Sequence, residues 1–178
     1  MLLPFLPLLA PQILLNNFLS DIPALTIASD NVDPEMVEKP HRWNTKFIRN
    51  YMVLFGLVSS IFDFLTFGTL LFLFRASPAV FQTGWFIESL LTELVIALVV
   101  RTRHLFFRSR PGKLLLVSSL IFIGITLVLP YLPFVSVFGF VPLPVPLMLA
   151  MVGLTVLYVL ATELAKKYFY SKMANANA

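Results

Sequence analysis

The sequence contains no cysteine, which removes disulfides and thiolate metal sites from consideration. Charge is scarce as well: Asp, Glu, Lys and Arg make up 12% of the residues, against about 25% in soluble domains. The seven glycines are scattered, and no glycine-rich phosphate cradle is formed from them. The two histidines, His41 and His104, lack metal-ligand spacing and read as loop positions. No basic stretch precedes the apolar N-terminus, so a cleavable signal peptide is not expected. A long polar segment is missing too. The longest, from Asp30 to Arg49, is well short of the roughly 50 residues of the smallest ordinary domains. No nucleotide-binding domain fits within it.

What is present is apolar. Of 178 residues, 58% are hydrophobic, and the mean hydropathy is +0.88. The fold class expected is all-α: a polytopic transmembrane helical bundle forming one membrane domain over residues 1–178. A bilayer core about 30 Å thick needs about 20 apolar residues per helix. On that measure five complete spans are expected, at about 11–28, 50–74, 82–100, 114–131 and 145–164. Met1–Leu9, interrupted by Pro4 and Pro7, is too short to cross and reads as a partial segment. The chain thus looks cut just before its first complete span. No charge falls between Lys113 and Glu163, where the prolines from Pro130 to Pro146 supply a turn between two spans.

Basic residues gather in three segments, 39–49, 101–113 and 166–172, whereas connections 75–84 and 131–144 hold only Arg75. The positive-inside rule puts the three basic segments, and with them the C-terminus, in the cytoplasm. These clusters separate apolar spans, so the partner they imply is the lipid bilayer and not nucleic acid. Trp43, Trp85, Tyr131, Tyr158, Tyr168 and Tyr170 fall mostly near the expected interfaces.

A few polar residues lie inside the expected spans. Asn17 and Asp21 are four apart and share a helix face, with Ser20 adjacent and Pro23 removing a backbone donor near Leu19. Such hard oxygens suit Mg²⁺ or Ca²⁺; the alternative is a proline kink with polar packing between helices. Glu88, with Thr92 on its face, reads as a second ligand. Glu93 lies about 140° further round at 3.6 residues per turn and is expected to face another helix or Arg101. Asp63, with Ser59 four residues earlier, is a third candidate: a ligand, a proton carrier or a hydrogen-bonded structural acid.

The strings NNFLSDIPAL and ASDNVDPEMVEKPHRW resemble the sixth transmembrane helix and following loop of P-type cation-transporting ATPases. SSIFDFLTFG, FQTGWFIESLL and the RTR to FFRSRP loop are similar to the magnesium-translocating branch. The resemblance implies the region from the end of helix five to helix ten. It implies that Asn17 and Asp21 coordinate the transported ion, most simply Mg²⁺, with Ser20 assisting and Glu88 at the place of an eighth-helix ligand. It implies a multi-pass protein of the cell (plasma) membrane. The family's DKTGT, TGES and GDGxND strings do not occur. ATP would act only through cytoplasmic domains outside this sequence, and the expected partner is the remainder of such a pump, helices one to five included. Two other readings stand beside this one. One is a non-catalytic membrane scaffold or orphan fragment that binds no ion. The other is a secondary transporter using Asp21, Asp63 and Glu88 as proton-coupled carboxylates, against which the lack of inverted repeats argues.

Overall fold

The computed structural model describes residues 3–31, 45–106 and 108–176. The polar segment from Asp30 to Arg49 falls largely outside the described residues, as do His41 and Trp43. Among the described residues the chain is a bundle of helices without strands. Helix α1 spans Ala10–Leu25 and runs on as a 3-10 turn, Thr26–Ser29. Helix α2 spans Thr45–Gly68 and ends in a π-helical turn, Thr69–Leu73. Helices α3 (Pro78–Val100), α4 (Lys113–Val128) and α5 (Val145–Ala176) follow. Two 3-10 turns, Leu129–Tyr131 and Pro133–Phe138, join α4 to α5.

Among the described residues four helices, counted with their terminal turns, are long and apolar enough to cross a membrane: Thr45–Leu73, Pro78–Val100, Lys113–Tyr131 and Val145–Ser171. The expected first span, 11–28, corresponds to the 16-residue α1 and its 3-10 extension. At 1.5 Å per α-helical and about 2 Å per 3-10 residue, the two together reach about 32 Å, close to the bilayer core.

Helix α3 is the centre. Half of its most apolar window is buried, against 11% for α2, and it packs against every other helix. Pro78 starts it at a position where the missing amide hydrogen costs nothing. Phe81, Phe86, Ile87 and Leu90 are fully buried along it. Lipid tails are as apolar as these side chains, so close packing holds the helices together, more than escape from water. Phe86 meets Phe140 edge-on, with ring centroids 4.7 Å apart. Phe67 of α2 meets Trp85 in the same way at 4.6 Å.

Two glycines allow close approaches. Gly139 has φ +77°, ends the second 3-10 turn, and leaves no room for a Cβ, which would lie 2.7 Å from Leu9 Cδ1. A Cβ on Gly84 would stand 2.8 Å from Cδ2 of the fully buried Leu70. Gly84→Val is therefore expected to lower stability by about 1–3 kcal/mol through overpacking. Gly56→Ala, with nothing within 4 Å of its Cβ, is expected to lose nothing. Unfolding midpoints in detergent check both, and equal midpoints would reject the crowding at Gly84.

Polar side chains tie the ends of the bundle. At one end, Gln12 is fully buried. Its Oε1 accepts from the Leu9 amide at 3.0 Å and its Nε2 donates to the Phe138 carbonyl at 3.1 Å. Gln82 donates to the Leu6 carbonyl at 2.9 Å, fixing the partial N-terminal segment on α3. At the other end, Arg101 Nη1 pairs with Asp30 Oδ2 at 3.0 Å, and the side chains are 4% and 10% exposed. Arg101 Nη2 donates to the Ser109 carbonyl at 2.7 Å, and the Gly112 amide donates to Asp30 Oδ1 at 2.6 Å. The foot of α1 is thus clamped to the loop between α3 and α4. Nearby, the buried Lys166 donates to the last-turn Val99 carbonyl at 2.9 Å and to Glu163 at 2.8 Å. Glu163 also accepts from the Phe106 amide. This fastens α5 to the end of α3, where an ammonium favours the unpaired carbonyls.

Candidate cation site

Helix α1 divides its polar residues between two faces. Gln12, Asn16, Leu19, Ser20 and Pro23 are buried, a stripe at helical spacing turned to α3 and α4. Asn17 and Asp21 lie on the other side and are exposed. Their neighbours there are Leu14, Phe18 and Leu25, exposed by 70%, 62% and 77%. Asp21 therefore sits near the middle of a membrane-length segment, on an apolar face that no described residue covers. The Ser20 hydroxyl donates to the Asn17 carbonyl at 3.2 Å, beside the break that Pro23 makes in the backbone ladder. Below it, Thr26 donates to the Pro23 carbonyl at 2.6 Å and meets Ser118 of α4 at 3.2 Å.

Of the two carboxylates of α3, Glu93 faces another helix, as expected, and that helix is α1. Its Oε2 accepts from Asn16 Nδ2 at 3.0 Å, and it is otherwise exposed. Arg101, the other neighbour expected for Glu93, is committed to Asp30. Glu88, 2% exposed, is buried on another side of α3, five residues and about 140° round the helix from Glu93. The cause is the rotation of α3, which Phe81, Phe86 and Leu90 fix by packing; two residues five apart then point to different neighbours.

The candidate residues thus do not form one group. Asn17, Ser20 and Asp21, with Asn16 and Glu93 beside them, belong to α1 and its border with α3. Glu88 is buried elsewhere on α3, and Asp63 is half-buried on α2. Among the described residues no three His, Asp or Glu side chains converge closely enough to hold a metal ion. The oxygens of α1 can be only part of an ion's shell, since Mg²⁺ takes six ligands and Ca²⁺ six to eight. Asn16 and Gln12 carry structural roles that the sequence reading did not single out. Their spacing of four, continued by Ser20 and Pro23, was the available signal for the buried stripe.

Comparison with known proteins points the same way. Residues 5–168 match the family described as cation transporting ATPase, C-terminus. The chain is 38% identical over 175 residues to the magnesium-transporting ATPase, P-type 1, of Salmonella typhimurium strain LT2. It is 36% identical to the protein of that name from Escherichia coli K12. Each match covers 96% of this chain and 19% of the relative, so the chain spans about a fifth of the length of these curated relatives.

Proposed function

The chain belongs to the cation-transporting ATPases, as the C-terminal membrane region of a P-type ATPase, and from that premise we propose that it supplies one wall of a Mg²⁺ transport site. The wall is the exposed face of α1. Asn17 offers an amide oxygen, Asp21 a carboxylate, and Pro23 a freed carbonyl one turn above, with the Ser20 hydroxyl backing the Asn17 carbonyl. The observation that carries this reading is the position of Asp21. A carboxylate at the centre of a span costs about 2.5–3.5 kcal/mol on insertion scales, and none of the described residues gives it a counter-charge. A cation, held also by helices outside this chain, removes that cost and covers the apolar face around it.

In such a pump ATP acts on the site from a distance. Phosphorylation in cytoplasmic domains outside this chain would tilt the helices around the ion, so that its shell opens first to one side of the membrane and then to the other. The clamp at Asp30 and Arg101 and the pair at Lys166 and Glu163 hold the foot of α1 on the α3–α5 block. The remaining helices would move against this block. On this reading the protein sits in the cell membrane, and the arginine and lysine of the clamped end support a cytoplasmic position for it by the positive-inside rule.

The test is a chimera in which this chain replaces the corresponding C-terminal fifth of the Salmonella magnesium-transporting ATPase. It is expected to restore Mg²⁺ uptake and growth on low magnesium in cells lacking magnesium transporters. A chimera that reaches the membrane in normal amount and hydrolyses ATP, yet moves no Mg²⁺, would reject the assignment.

A further inference from the structure

The connection between α4 and α5 carries no charge from residue 129 to 145, and it does not stand clear of the helices. Phe140 packs edge-on against Phe86 of α3, with ring centroids 4.7 Å apart. The Val141 amide donates to Thr83 Oγ1 at 3.1 Å. At 1.5 Å per residue, Thr83 and Phe86 lie about 8 and 12 Å along α3 from its first residue, Pro78. Helix α3 has 23 residues, about 35 Å, and is bracketed by Arg75 and Arg101. Laid across a hydrocarbon core of about 30 Å, it overhangs by less than a turn at each end. Thr83 and Phe86 are therefore at hydrocarbon depth, and Phe140 and Val141 with them. Helix α1 gives the same depth. Gln12 donates to the Phe138 carbonyl, and one turn further on Asn16 meets Glu93, which lies past the middle of α3.

A non-helical backbone is tolerated at that depth only where protein satisfies its polar groups. Here they are satisfied from several sides. The amides of Leu132, Val135 and Gly139 bond to carbonyls three residues back. The Leu143 carbonyl accepts from the Tyr131 hydroxyl at 3.0 Å. Pro130, Pro133, Pro142 and Pro144 have no amide hydrogen to satisfy. The Ser136 hydroxyl donates to the Pro133 carbonyl at 3.2 Å.

The segment has two faces. Val135, Phe140 and Leu143 are buried in the core, whereas Phe134 and Val137 are 64% and 86% exposed. Side chains that join helices within a membrane are small or polar. These two are bulky and apolar, and Ser136 between them spends its hydroxyl locally. Such a face suits acyl chains better than a further helix.

We propose that residues 132–143 form a re-entrant apolar cap, embedded in the leaflet opposite the arginine- and lysine-rich end, with Phe134 and Val137 against lipid acyl chains. The partner is the hydrocarbon of that leaflet. Through Gln12 and Thr83 the cap ties the entry of α1 to that of α3, so a surface held in lipid steadies both helices.

The chain has no cysteine, so a single introduced one can carry a nitroxide label. Val137→Cys, Phe134→Cys and, at an exposed position of the basic end, Arg108→Cys are labelled in the whole chain in vesicles of phosphatidylethanolamine and phosphatidylglycerol. Electron paramagnetic resonance then compares collisions with oxygen, which concentrates in hydrocarbon, and with a water-soluble nickel chelate. Oxygen collisions are expected to exceed nickel collisions at 134 and 137, and the order to reverse at 108. Nickel collisions at 134 and 137 as frequent as at 108 would put the segment in water and overturn the proposal. Labels there that meet neither reagent would show protein, such as a second copy of the chain, covering the face, and would overturn it equally. Should one of the two cap variants fail to fold, the other decides alone.

Discussion

Asp21→Asn is expected to abolish Mg²⁺ transport by the chimeric pump and to leave the isolated chain at least as stable as before. The two halves of this result have opposite physical origins. Asparagine keeps an oxygen at the same place but removes a full negative charge from the ion's shell. At an effective dielectric of about 20, one pair of unit charges 4 Å apart is worth about 4 kcal/mol. The loss should therefore exceed a hundredfold in apparent Mg²⁺ affinity, which corresponds to about 2.7 kcal/mol. In the isolated chain the same carboxylate lies exposed among Leu14, Phe18 and Leu25, and its removal relieves an insertion cost of about 2.5–3.5 kcal/mol. Uptake measured against external Mg²⁺, together with the unfolding midpoint of the isolated chain in lipid, separates the effects. Wild-type uptake would exclude Asp21 from the site. A chain destabilised by the change would make Asp21 a structural residue.

Arg101→Ala carries the largest expected loss of stability, about 3–5 kcal/mol, the cost of removing one partner of a buried ion pair. Asp30 would keep the Gly112 amide but lose its counter-charge, and the Ser109 carbonyl would lose a donor. Because the two side chains are 4% and 10% exposed, added salt should screen the pair little. Exchanging both partners for apolar residues, Arg101→Met with Asp30→Leu, is expected to recover much of the loss, since no unpaired charge then remains. Unfolding midpoints, and the rate of protease cleavage within the 101–112 loop, give the readouts. An Arg101→Ala chain with unchanged midpoint and cleavage would show that the clamp does not fasten α1.

The helical class was legible because a bilayer leaves few choices. Backbone donors and acceptors in lipid must be satisfied within the segment, so long uncharged stretches such as the one between Lys113 and Glu163 could only be helical. The family was legible for a different reason. The strings around Asn17–Pro23, Asp63 and Glu88 are particular in order and spacing, and the match over residues 5–168 bears them out. The first span was harder. Its helix is 16 residues long and borrows a 3-10 turn to lengthen it, and composition says nothing about that.

The candidate site was legible as a set of polar residues but not as an arrangement. Periodicity put Asn17 and Asp21 on one face, and that face is the one α1 leaves uncovered. Periodicity also set Glu88 and Glu93 on different sides of α3, yet it could not say which of them meets α1. That depends on how α3 is rotated, which the packing of Phe81, Phe86 and Leu90 in the core decides. The Arg101 pairing was likewise hidden, because its partner is 71 residues away in the chain.

The sequence by itself determined that this is a helical membrane protein, the family to which it belongs, and the presence of carboxylates at membrane depth on three helices. Each of these follows from local composition, spacing or strings. Only the tertiary structure decided the facing of those carboxylates: Asp21 outward on an uncovered wall, Glu93 against Asn16, and Glu88 buried within the bundle. A helix's polarity is written along its chain, but its rotation is fixed by neighbours distant in sequence.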